Sequence, residues 1–340
     1  MSGILASLFS RGWKRVFSAG LAVAWLVLSL PACQSNTSET KKSVTVGIDG
    51  TAVNSLIYIA QDSGYFSNNH LTVRAKTYRS GLEAVNGLLN LEVDLAVASE
   101  FVMVGEAFEN KPVLTVASID KFIHNYLIAR KDLGISTVSD LKGKKIGLPV
   151  KTASEFYLGR FLELHGISLQ QVIEVNTPPT ELVDALINAE VDAVVAWQPY
   201  AADLENRLGD RAMVWPVQSE QNTFACLTAR SGWLDAHPDE ADQFLQALSE
   251  SEDEIVQHPQ EAKAEIQNRL GYDEKYIAII WPEHEFGLSL DQSLILAMED
   301  EARWLLDNRL ITGKIVPDFV NFIYFKGMET VKPEAVNIIR

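Results

Sequence analysis

Five short stretches carry the polar side chains whose types and spacing suit chemistry. Asp49, Asn54 and Ser55 follow the apolar run VTVGI, and Ser99 ends LAVAS with Glu100 after it. Ser80 and Gly81 belong to Ser80-x-x-Glu83, Thr152, Ser154 and Glu155 to Thr152-x-x-Glu155, and Trp197 and Gln198 end the run AVVAWQ. A Ser or Thr three residues ahead of Glu is the capping-box pattern of a helix N-terminus. Free N–H groups and the positive end of the helix dipole meet at such a terminus and hold oxyanions there. Capping alone explains either motif taken singly; for the matched pair, capping and ligand binding stand as equal readings. Trp197 offers a flat wall for an apolar part of that ligand, or a cover for its own core. Charge gives divided counsel. Arg79 and Lys151 beside the two boxes favour an anion, whereas Asp49, Glu100 and Glu155 favour a cationic or neutral polar group. An organic molecule with both an acidic and an amino group suits the set, and so does a neutral heterocycle.

The elements that must position these residues alternate. VTVGI (44–48), an amphipathic stretch 54–64, LTVRAKTY (71–78), a helix 81–91 and LAVAS (95–99) read as βαβαβ. The order restarts with KKIGLPV (144–150), a helix 154–165, VIEVN (172–176), a helix 180–189 and AVVAW (193–197). This order predicts parallel sheets with helices on both faces. GLLNLEVDLAVA (87–98) and ALINAEVDAVVA (185–196) agree at seven of twelve positions, 98 residues apart. That period is too long and too seldom repeated for a solenoid, so two similar lobes are expected. In open α/β sheets ligands sit beyond the carboxyl ends of the strands, where all five stretches lie.

Other chemistry finds little support. The six histidines show no HExxH or paired Cys/His spacing, so no metal site and no cofactor are expected. KGKKIG has the wrong spacing for a phosphate loop, and no GxSxG or Gly-rich dinucleotide pattern occurs. His165 and His284 lack a neighbouring nucleophile and read as structural or solvated. Cys226, within Phe224-Ala225-Cys226-Leu227, reads as a small buried side chain. No catalytic residue is expected. A hydrophobic content of 47% with 22% charged residues is that of a globular chain, and the formal net charge of −16 lacks a basic nucleic-acid footprint.

The first residues read as a processing signal. Arg11, Lys14 and Arg15 precede an apolar stretch from Val16 to Leu30, which at fifteen residues is short of the roughly 20 that span a bilayer. Leu30-Pro31-Ala32-Cys33 resembles the bacterial lipobox, which implies acylation of Cys33 and a lipid-anchored, extracytoplasmic protein. Gln34 to about Lys42, polar and rich in Ser and Thr, reads as a flexible tether.

Beyond these features the chain resembles the solute-binding proteins of ABC importers for sulfonates, nitrate and taurine (NMT1/THI5-like). The carriers are AQDSGYFSNNHLTV (60–73), SDLKGKKIGLPV (139–150), AEVDAVVAWQPY (189–200) and the long C-terminal run 304–339. The resemblance implies a type II periplasmic-binding-protein fold, with two parallel-sheet-centred lobes joined by a two-segment hinge. It divides the chain into a signal peptide (1–32), an acylated tether (33–43), lobe 1 (44–122), lobe 2 (123–222) and a return to lobe 1 with C-terminal helices (223–340). Chain crossings are implied near Ile119–Asn125 and Ser219–Thr223. Implied partners are a small-molecule solute, an ABC permease with a cytoplasmic ATPase and the membrane through the lipid anchor; a monomer is expected. The alternatives are a pyrimidine, thiamine-precursor or amine binder of the same fold, or a ligand sensor for a membrane kinase. Pyrimidine-forming enzymes of this fold carry a CCCFC motif that is absent here.

Overall fold

The computed structural model describes residues 42–218, 221–313 and 315–340. The signal sequence, lipobox and most of the tether lie outside the described residues.

Alternating buried positions start the chain as β1 (Lys42–Ile48), with Val44, Val46 and Ile48 in the core. A 3-10 turn at Ala52–Asn54 leads into α1 (Ser55–Asp62) and α2 (Tyr65–Asn68), then β2 (Leu71–Thr77), α3 (Gly81–Leu89), β3 (Leu95–Ser99), α4 (Glu100–Phe108) and β4 (Val113–Phe122). α1 is not amphipathic as expected: every residue from Ser55 to Ala60 is buried, because helices cover it on its outer side too. The chain then builds a second sheet from β5 (Tyr126–Arg130), β6 (Lys145–Leu148), α5 (Ala153–Leu164), β7 (Ile173–Asn176), α6 (Leu182–Ile187), β8 (Ala193–Ala196), α7 (Tyr200–Leu208) and β9 (Ala212–Pro216). It returns along β10 (Thr223–Arg230) and closes with α8 (Ser231–Ala236), α9 (Pro238–Gln257), α10 (Pro259–Leu270), α11 (Glu274–Ile280), β11 (His284–Ser289), α12 (Gln292–Asp307) and α13 (Phe325–Val331).

The strand orders are β11-β4-β10-β3-β1-β2 and β7-β6-β8-β5-β9. Each sheet is parallel only where the βαβαβ order ran: β1 pairs with β2 and β3, and β6 with β7 and β8. The strands that carry the chain between sheets, β4, β5 and β10, pair antiparallel. A strand that enters a lobe from its neighbour arrives at the end where parallel strands finish, so it must run against them.

Away from the strand ends the lobes meet along helices. α5 of the second lobe packs on α4 and α12. The Trp304 indole stands edge-on to Phe156 at 5.4 Å between ring centres and lies over Gly159, where an added Cβ would come within 2.1 Å of it.

Candidate functional site

The carboxyl ends of β1, β3, β6 and β8 face one another across a cavity of about 570 Å³, including the part open to solvent. Three helix N-termini converge on it: Ser80 to Leu82 from α3, Ser99 and Val102 from α4, and Thr152 to Ser154 from α5. Ser80 caps α3 conventionally, accepting from the Glu83 N–H at 3.3 Å. The box at Thr152 does not close. The Thr152 hydroxyl donates backwards to the Pro149 carbonyl at 2.7 Å, while Glu155 accepts from the Lys151 N–H at 2.8 Å. Ser99 makes no side-chain cap either. The first turn of α5 thus keeps N–H groups without an N-cap side chain beside the cavity, the arrangement that favours an oxyanion, whereas the Glu100 and Phe101 amides at the start of α4 bond the Glu100 carboxyl beneath it.

Asp49 and Trp197 complete the wall. Thr51 N–H (3.2 Å), Thr51 Oγ1 (2.8 Å) and Asn54 Nδ2 (2.8 Å) all donate to the same Asp49 oxygen, Oδ1. Oδ2 has no hydrogen-bond donor among the described residues, so the carboxylate is fixed in direction with one oxygen to spare. Behind burial, its charge is the next cause holding the phenols of Tyr58, Tyr200 and Tyr272 above their ordinary range, which places aromatic rings around it. Tyr200 stands edge-on to the Trp197 indole at 6.1 Å. Among the described residues the wall contains no Arg or Lys. Arg79 is turned into an ion pair with Glu83 at 2.5 Å, and Lys151 is exposed outside the wall.

The structure therefore brings together Asp49, Ser80, Gly81, Ser99, Thr152, Ser154 and Trp197, and places five other expected residues behind them. Asn54 is fully buried and orients Asp49; Ser55 donates to the Ala52 carbonyl at 2.6 Å inside its own turn. Gln198 accepts from the Ala202 N–H at 3.2 Å and lines a smaller neighbouring cavity. Glu155 is buried and bonded to the Lys151 amide; burial raises its pKa. Glu100 turns beneath the site, its Oε2 accepting from the Phe224 N–H at 3.0 Å, and burial pushes it up to about 8.

The floor holds residues the sequence reading passed over: Phe122, His124, Asn125 and Thr223, at the two passages between sheets. Gln218 ties these passages together. Its Oε1 accepts from the His124 N–H (2.6 Å), the Asn125 N–H (2.7 Å) and Asn125 Nδ2 (3.0 Å). Its Nε2 donates to the carbonyls of Phe122 (3.1 Å) and Gln221 (3.0 Å) and to Thr223 Oγ1 (3.2 Å). Ser154 joins the network by donating to Asn125 Oδ1 at 3.0 Å. The available signal was the polar pair His124-Asn125 between two apolar strands, IDKF-IHN-YLIA.

Residues 52–262, more than half of the chain, match the family described as NMT1/THI5 like. The chain belongs to this family. It is 24% identical to a putative aliphatic sulfonates-binding protein of Bacillus subtilis over 84% of this chain and 87% of that protein. A putative thiamine biosynthesis protein of Haemophilus influenzae is 26% identical over 71% and 76% of the two chains. In fold, the alkanesulfonate-binding protein SsuA of Xanthomonas axonopodis pv. citri, bound to MOPS, superposes with a TM-score of 0.72 at 17% identity, over 83% of this chain and 98% of that one. The fold also houses an enzyme: the desulfurization enzyme DSZB superposes with a TM-score of 0.58 at 15% identity, over 85% and 99% of the two chains. The chain thus has the periplasmic-binding fold, which these proteins share.

Proposed function

We propose that this NMT1/THI5-like chain captures a small organic solute with a sulfonate-type oxyanion at one end and an amino group at the other, and delivers it to an ABC-type permease. The carrying observation is the make-up of one cavity wall: three helix N-termini, one oriented carboxylate and an indole line the same cavity. The sulfonate-binding relatives support the anionic half of this reading. Asp49 and the absence of Arg and Lys from the described wall support the cationic half. Delivery follows from closure: hydrogen bonds from both lobes to one solute favour the closed form only when it is occupied, and a permease reads that shape. Asp49, Ser80, Gly81, Ser99, Thr152, Ser154 and Trp197 are the proposed contacts.

A thermal-shift comparison of taurine, ethanesulfonate and a free aminopyrimidine on the purified full chain tests this reading. Taurine at 100 times its dissociation constant should add about 2.7 kcal/mol of stability, with a smaller shift for ethanesulfonate. Stabilisation by the pyrimidine alone would replace this reading with the thiamine-precursor class.

The proposed location is extracytoplasmic, with Cys33 carrying the anchor. Cys33→Ala should move the protein from the detergent to the aqueous phase on phase partitioning; unchanged partitioning would refute the anchor.

A further inference from the structure

We infer that His124 determines solute specificity, its imidazole accepting a hydrogen bond from the amino group of the solute. The inference rests on the solute class proposed above and adds a contact from outside the five sequence stretches.

Four observations carry it. His124 stands in the passage from β4 to β5, only 5% exposed, and lines two cavities at once, the main one and a smaller one of about 170 Å³, including the part open to solvent. The ring is clamped, with Phe122 at 4.2 Å between ring centres and His284 edge-on at 5.8 Å. Nδ1 is buried and has no hydrogen-bond partner among the described residues. A buried imidazole nitrogen is ordinarily bonded, and a clamped ring cannot swing away to find a partner. The fourth observation concerns side. Val53 walls both cavities together with His124, and Thr51 joins the wall of the smaller one. The turn Thr51–Asn54 that aims Asp49 therefore borders the same ring, so the imidazole and the carboxylate serve one end of the cavity.

The surroundings keep this ring an acceptor. Burial first, and then the charge of His284, hold His124 well below its ordinary pKa. Behind it His284 Nδ1 meets Asp120 Oδ2 at 2.6 Å, with both side chains almost wholly buried. Asp120 balances His284 directly, and nothing comparable reaches His124. A neutral imidazole has one acceptor nitrogen, and an ammonium has donors left after Asp49 has taken one. An oxyanion, which only accepts, gains nothing from that acceptor nitrogen, so the discrimination requires Nδ1 to be the nitrogen without the proton.

Calorimetric titration of the purified full chain with taurine and with ethanesulfonate tests the inference on the wild type, His124→Phe and His124→Asn. The Phe variant keeps the wall and loses the nitrogens; Asn restores an acceptor near the place of Nδ1. Loss of one hydrogen bond to a charged group predicts a drop of roughly tenfold or more in taurine affinity for the Phe variant. Ethanesulfonate affinity should hold, and Asn should recover most of the taurine loss. A Phe variant that binds taurine as the wild type does, or loses both probes equally, overturns the inference and leaves the proposed function standing. A wild type that binds neither sulfonate, or both equally, overturns the proposed solute class and the inference with it.

Discussion

Asp49 shows how a single residue gains a direction. Three donors from two buried residues of the turn that follows it, Thr51 and Asn54, converge on Oδ1. A carboxylate held this way has already given up its rotational freedom, so a cation that arrives at Oδ2 finds it in place. Asp49→Asn keeps the shape and removes the charge. Affinity for taurine should fall roughly 10- to 100-fold, as for the loss of a charge-assisted hydrogen bond of about 1.5–3 kcal/mol. Affinity for ethanesulfonate should stay the same or rise, because a negative charge leaves an anion's cavity. Titration of both solutes on one preparation reads the difference, and an equal fall for both would make Asp49 a structural residue of the turn.

Elements explain why the lobes were legible from sequence while the floor was not. In the copy at 87–98, Asp94 Oδ2 accepts from the Thr45 N–H midway along β1 at 2.8 Å; in the copy at 185–196, Asp192 Oδ2 accepts from the Lys145 N–H at the start of β6, also at 2.8 Å. An arginine supports each copy: Arg230 Nη1 donates to the Val93 carbonyl at 2.7 Å, and Arg130 Nη1 to the Ile187 carbonyl at 2.7 Å. The repeated Glu-Val-Asp is thus a register device, one per sheet, and local enough to read in the sequence. The strand-end rule found Asp49, Ser80, Ser99, Thr152 and Trp197 for the same reason. It could not separate Ser99 from Glu100 or Thr152 from Glu155, since a first helical turn sends neighbouring side chains in different directions, outward or under the strands. The floor was hidden because Gln218 meets His124 and Asn125 across more than ninety residues. Gln218→Ala should show what that meeting contributes: it strands the His124 and Asn125 amides in a buried place, at about 1–3 kcal/mol for each unsatisfied group. The melting temperature, followed by circular dichroism, should drop by several degrees. An unchanged melting curve would mean that the passages between the sheets do not need the clamp.

For the whole molecule, the consequential feature is a pair of acids where the lobes meet. Glu100 begins α4 beneath the cavity, and Glu301 on α12 is wholly buried, with neither of its carboxylate oxygens bonded among the described residues. Burial pushes Glu100 up to about 8; burial and then the charge of Glu100 push Glu301 well above the carboxylate range. Trp304, one turn from Glu301, reaches across to Phe156 and Gly159 of the second lobe. Ionisation of these acids therefore acts on the seam on which the lobes rest. The sign is fixed by linkage. Below the usual carboxylate range both states are protonated; above it the unfolded chain releases protons that the folded chain retains, so stability falls as pH rises until the buried acids ionise. The other carboxylates and His124 act mainly at lower pH: Asp120 is raised only to about 6, Glu174 to about 7, and the buried His124, held below its usual value, adds stability as pH rises towards the ordinary histidine range; the Cys226 thiol, pushed up by burial, adds to the loss at the top of the window in wild type and variant alike. Between pH 7 and 8.5 the acid pair should dominate, with a loss of up to about 1.4 kcal/mol per pH unit for each retained proton. Thermal melts across that window should show a steadily falling midpoint in the wild type. In Glu301→Gln, which keeps the volume and cannot ionise, the fall should be much shallower. A wild-type midpoint that holds level from pH 7 to 8.5 would mean that the two acids are already ionised at neutral pH, and that the seam carries paired charge rather than protons.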